Sequence, residues 1–142
     1  MKVNDLRIGN WIKYEDKLVQ VVQLSSLMIL CQREENQFLV NCAPKEFQPI
    51  ELTEEVLVKI GFKKEERITS NLYYLDFEEN EDDITRVKYV IYNSNSLPLL
   101  KIITTKYNSF EGFELTKRGI KYLHELQNAY YLLTGQELNI EL

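Results

Sequence analysis

Residues 119–142, GIKYLHELQNAYYLLTGQELNIEL, constrain this chain more than any other stretch, because their apolar spacing is that of a helix and any fold must give that helix a surface to lie on. At about 100° per residue, Ile120, Tyr122, Leu123, Leu126, Ala129, Tyr130 and Leu133 fall on one broad side. Gly135 follows the last apolar position and supplies a left-handed C-terminal cap at no steric cost. Leu138 and Ile140 come next, as apolar residues able to fold back. Thr116 is the N-cap candidate, although Lys117 and Arg118 then sit unfavourably near the positive end of the helix dipole.

The far side of the same helix carries His124, the only histidine, with Gln127, Asn128 and Tyr131 at i+3, i+4 and i+7. An imidazole, two amides and a phenol thus line one strip. Such a strip either hydrogen-bonds a neighbouring element or faces a ligand or partner, and packing is the commoner use of half-buried polar residues.

A chain of 142 residues forms one domain or two small modules. A fold of that size buries roughly 70% of the surface its unfolded chain would expose, enough for a core without disulfides or metal. With 44% hydrophobic and 27% charged residues the composition is that of a soluble globule. A net charge of −5 excludes a surface wrapped all round in nucleic acid, while leaving room for a local basic patch. Cys31 and Cys42 lack a second Cys pair or a nearby histidine, so zinc is not expected, and both read as core residues of a reducing cytoplasm. No cofactor, signal peptide or membrane span is expected from the residues.

In the N-terminal third, short strands are predicted at 8–14, 18–24, 27–32 and 38–40, with a hairpin turn at Glu15-Asp16-Lys17 and a bend or bulge at Gly9-Asn10. Four or five such antiparallel strands imply a strongly bent sheet or an SH3-like barrel. An extended connection, Phe47-Gln48-Pro49-Ile50, leads to a short helix over 54–60, with Thr53 as N-cap and Gly61 closing it. Three strands follow, at about 68–77, 85–92 and 99–107. Their alternation puts Tyr73, Leu75, Phe77, Val87, Tyr89, Ile91, Leu100 and Ile102 on an apolar side that the last helix is placed to cover. The fold class expected is α+β: a small antiparallel, SH3-like module at 1–50, packed with an α-β-β-β-α module at 51–142 that ends in a long helix.

Candidate sites divide into four kinds. Trp11 and Tyr14, at the first hairpin, are placed either to line an aromatic peptide groove or to serve as core and rim. On the mixed face of the second sheet, Tyr74, Arg86, Lys88, Tyr92, Lys101 and Tyr107 combine rings for base stacking with cations for phosphate, the requirement for single-stranded nucleic acid. Tyrosine is also an ordinary strand residue, and no RNP-like signature accompanies it. The acidic run Asp76, Glu78, Glu79, Glu81, Asp82 and Asp83 lacks the glycine of a calcium loop and reads as a solvated hairpin tip. Catalysis has least support: His124 needs a converging nucleophile and carboxylate, no G-x-S-x-G elbow occurs, and the five glycines are scattered.

Three blocks, DLRIGNWI, FQPIELTEEVLVKIGFKK and KYLHELQNAYYLLTGQEL, cover about a third of the chain in that order. In these blocks the chain resembles a family of small uncharacterised proteins of Bacteroides-type bacteria, their phages and mobile elements. The resemblance implies a compact cytoplasmic accessory protein and carries no site residue across. The function expected is that of a noncatalytic interaction protein binding another protein or itself. Single-stranded nucleic-acid binding is the alternative, and an enzyme or small-ligand binder around His124 comes last.

Overall fold

The structure is a computed structural model that describes residues 3–33, 39–67, 70–80, 83–92, 99–106, 109–114 and 119–140. It is an α+β fold with two five-stranded antiparallel sheets and two α-helices among the described residues. The chain divides into two compact units, one of Met1–Leu52 with Tyr122–Ala129, the other of Thr53–Lys121 with Tyr130–Leu142.

In the first unit, β1 (Trp11–Tyr14), β2 (Lys17–Leu24), β3 (Ile29–Gln32), β4 (Leu39–Cys42) and β5 (Phe47–Gln48) form a curled half-barrel in the order β4-β3-β2-β1-β5. Two irregularities bend it. One is a register shift in β2 between Val21 and Gln23. The other lies just before β1, where Gly9 N–H donates to Val21 O (2.8 Å) and Val21 N–H donates to Asn10 O (2.8 Å), so two residues face one. Gly9 stands at φ +91°, the left-handed conformation that such a bulge requires and that only glycine adopts without strain. The curl closes around Leu6, Ile12, Val19, Val21, Ile29, Cys31 and Phe47, all buried. Removing that apolar surface from water is the main force holding the unit together.

The hairpin turn between β1 and β2 is tighter than the sequence predicts. Tyr14 pairs with Lys17, leaving only Glu15 and Asp16 in the loop, both with positive φ (48° and 61°). This is the two-residue geometry that matches strand twist, although its preferred residues are Asn-Gly. Strand 27–32 also differs from expectation. It begins at Ile29, with only Ile29 and Cys31 buried in the core, while Leu27 (76% exposed) and Met28 stand outside it.

In the second unit, Thr53 caps α1 (Glu54–Lys59) by accepting from Val56 N–H, and Gly61 at φ +89° ends it, both as the sequence predicts. Glu54 accepts from Lys64 Nζ (2.8 Å) and the Tyr73 hydroxyl (3.1 Å), and these bonds hold its carboxyl below the usual range. The sheet has five strands where three are expected: β6 (Lys63–Arg67), β7 (Ser70–Asn80), β8 (Asp83–Tyr92), β9 (Leu99–Lys106) and β10 (Ser109–Glu114), in the order β10-β9-β8-β7-β6. The α-β-β-β-α description is corrected accordingly. Both unforeseen strands are edges. KKEER has no apolar residue and hence no alternation to read, and charge is what keeps an edge from pairing with other chains. SFEGFE is interrupted by Gly112. Register pairs Tyr73 with Tyr89 and Tyr89 with Leu100, as the expected apolar rows require, but Phe77 falls at a register shift between Asp76 and Glu78.

The last helix, α2 (Leu123–Thr134), starts later than the periodicity implies, and the Thr116 cap lies outside the described residues. Tyr122 instead forms an isolated bridge with Glu51, and its N–H donates to Glu125 Oε2 (3.1 Å), the backward half of a capping box.

The strained turn yields a test. Asp16→Gly removes a side chain from a left-handed position and is expected to raise unfolding stability by about 1 kcal/mol, seen as a higher Tm in a thermal melt.

Candidate functional site

The polar strip of α2 meets the loop before β1, and almost every polar group in it is spoken for. Leu123, His124, Leu126, Gln127 and Tyr130 are all buried, so Gln127 sits inside the buried stripe of the helix and not on a separate far face. Its side-chain amide accepts from Trp11 N–H (2.9 Å) and donates to Gly9 O (3.2 Å). One donor and one acceptor in a plane, set against the residues on either side of Asn10, do what a neighbouring strand would do. β5 reaches only Lys13 and Tyr14, so on that side Gln127 stands in for a strand at the beginning of β1, whose other side pairs with β2.

Asn128 extends the same contact. Its Oδ1 accepts from Arg7 Nε (2.9 Å) and from Asn10 Nδ2 (3.0 Å), and its Nδ2 donates to Asp5 O (3.0 Å). Asn10 is fully buried; its own Oδ1 accepts from Arg7 N–H (2.8 Å). Loop residues 5–11 are thereby read by two amides from the helix, and buried polar groups in such a network are stabilising only while all partners remain.

His124 is different. It is 2% exposed, stacks on Tyr122 with ring centroids 5.8 Å apart and nearly parallel, and its Nδ1 has no hydrogen-bond partner among the described residues. Burial pushes its pKa below the usual value, with Glu125 and Asp5 opposing, so the ring is neutral near pH 7. Among the described residues no hydrogen bond joins it to a carboxylate or thiol, and neither recess described below is lined by it. General-base chemistry has no nucleophile there. Tyr131 is the one member of the strip that stands exposed.

Trp11 is buried, and Tyr14 packs half-buried against the first core with its ring 5.4 Å from that of Phe47. These are core and rim positions. In the second sheet, register sets Lys63, Tyr74, Lys88 and Lys101 in one cross-strand row, while Arg86 and Tyr92 occupy alternate positions along β8. Tyr107 lies outside the described residues. Leu72, two residues from Tyr74 and therefore on the same face, is only 5% exposed, so that face is covered beside the row.

Two recesses occur. One of about 410 Å³ in the second unit is bordered by Lys59, Gly61, Leu75, Tyr130 and residues 136–139, and burial raises the Tyr130 hydroxyl above its ordinary pKa. The other, about 230 Å³, lies on the outer face of the half-barrel. Its base is the cross-strand row Gln23, Leu30 and Asn41, and Ser25 and Met28 form its wall. Ser25 closes the turn by bonding Met28 through both its backbone and its hydroxyl (2.9–3.0 Å), which leaves Leu27 and Met28 projecting. The apolar run LMILCQ hides this exposure; the preceding Ser25-Ser26 pair is the one sign of a turn. Among the described residues no group of acidic, cysteine or histidine side chains could hold a metal ion, and no helix is long and apolar enough to cross a membrane.

In comparison with known proteins, no family model matches this chain, and no curated protein or solved structure does.

Gln127→Leu leaves the Trp11 N–H without its acceptor and the Gly9 carbonyl with only the Gln20 amide, and is expected to destabilise the protein by about 1–3 kcal/mol in urea denaturation. Asn128→Asp keeps the acceptor for Arg7 and Asn10 but replaces the donor to Asp5 O by an oxygen facing that carbonyl, so its cost is expected to be about 1–2 kcal/mol in the same denaturation.

Proposed function

We propose that this chain is a noncatalytic interaction protein whose N-terminal β unit takes an extended segment of another protein on its outer face. The observation that carries this reading is the exposure of Leu27 and Met28 beside a recess with two amides in its base. Exposed apolar side chains supply burial on association, and Gln23 and Asn41 each offer the donor and acceptor that a peptide backbone needs. β4 is also an edge of the sheet, open to an added strand. The alternative anchors favour it further, since His124, Gln127 and Trp11 are buried. An SH3-like half-barrel accords with the curled sheet and with the opening DLRIGNWI, and the family resemblance suits an accessory protein from a phage or mobile element, working in the cytoplasm. Fold analogy alone names no ligand.

A second reading keeps single-stranded nucleic acid, on the strength of the Lys63, Tyr74, Lys88 and Lys101 row. It requires binding that weakens steeply as salt rises.

A displayed peptide library selected on the wild-type protein tests the first reading. Enriched peptides are expected to lose at least tenfold in affinity for Leu27→Lys/Met28→Lys, a variant whose thermal stability should be unchanged because both side chains are outside the core. Peptides that bind both proteins equally would overturn the site. Salt-sensitive binding of a mixed oligonucleotide with no peptide enriched would put the second reading first.

A further inference from the structure

The contact between α2 and the loop before β1 holds one group that can change charge near neutral pH. His124 lies three residues before Gln127 and four before Asn128, so the three share one side of the helix. Its imidazole is almost fully buried, its Nδ1 is unpartnered, and Tyr122 covers one ring face. An imidazolium at this place would need two hydrogen-bond acceptors and hydration, and the packed arrangement supplies no acceptor to Nδ1. The charged groups around it are Glu125 on its own helix, Asp5 at the start of the loop, the chain's amino terminus, and the Arg7 guanidinium bound to Asn128.

We propose that His124 is the proton-sensitive element of a latch, and that protonating its imidazole releases helix residues 122–129 from loop residues 5–11. The release detaches Gln127 from Gly9 O and Trp11 N–H and so bares the beginning of β1 as an open strand edge. The proton is simply taken from solvent onto a ring nitrogen; no other bond changes.

The sign follows from linkage. Burial holds the closed-state pKa below the open-state value of about 6.5, so the open form binds the proton more readily. The closed form therefore has its full stability above about pH 6.5 and loses it as pH falls from there towards the closed-state pKa. With one proton taken up, the ratio of closed to open shifts by up to about tenfold per pH unit within that window. Glu125 and Asp5 favour the imidazolium and soften the transition, while the charge of the amino terminus opposes it.

The chain carries one histidine and one tryptophan, each a reporter without interference. Untagged protein is titrated from pH 8 to pH 5 while the His124 ring signal is followed by NMR, Trp11 by fluorescence, and overall structure by far-UV circular dichroism. The expected result is a red-shift of Trp11 emission that tracks the His124 signal while the dichroism is retained. The same shift should persist in Asp5→Asn and Glu125→Gln and vanish in His124→Gln. A His124 signal that titrates near 6.5 with Trp11 unchanged would overturn the latch, since the imidazole would then take its proton without any opening. Loss of dichroism in step with fluorescence would overturn it equally, as global unfolding. Should His124→Gln not fold, the wild-type titration decides between these outcomes by itself.

Discussion

The first unit depends on an amide that imitates a strand. β1 is short, its neighbour β5 is shorter, and without a further partner the Trp11 N–H would face nothing while the Gly9 carbonyl would keep only the Gln20 amide. Gln127 supplies the missing acceptor and a second donor from a helix 116 residues away in sequence. An unsatisfied buried backbone group costs as much as a lost hydrogen bond, so this side chain does more for the fold than its polarity implies. Asn128 and Asn10 then lock the loop in place, and the bulge at Gly9-Asn10 gives the half-barrel part of its curl.

That dependence explains why the polar strip of α2 makes a poor active site. Groups that could bind a substrate are held in geometry by the loop backbone, and His124 is neutral and enclosed. Chemistry requires a polar group with a free valence for the ligand, whereas a latch requires polar groups satisfied by the protein itself. Exposed apolar side chains lie elsewhere, Leu27 and Met28 at the turn between β2 and β3 among them.

Legibility tracked the range of the interaction. Caps and turns are local, and Thr53, Gly61 and the Gly9-Asn10 bulge stood in the sequence because each solves a problem within a few residues. Alternation predicted the cross-strand rows around Tyr73 and Leu75 for the same reason. Strand β6 was invisible because KKEER carries no apolar residue; only pairing with β7 makes it a strand. Leu27 and Met28 read as strand residues because their hydrophobicity outweighs the Ser25-Ser26 pair, whose turn directs them outward.

By itself, then, the sequence determined an α+β chain with a bent N-terminal sheet, a capped helix α1 and a C-terminal helix bearing a polar strip, since periodicity and capping are set by neighbouring residues. Which side of that strip was buried, and what it bonded to, belonged to the tertiary structure alone. An amide has the same donor and acceptor in water or against a backbone, and only the placement of Gly9 and Trp11 beside Gln127 made it structural.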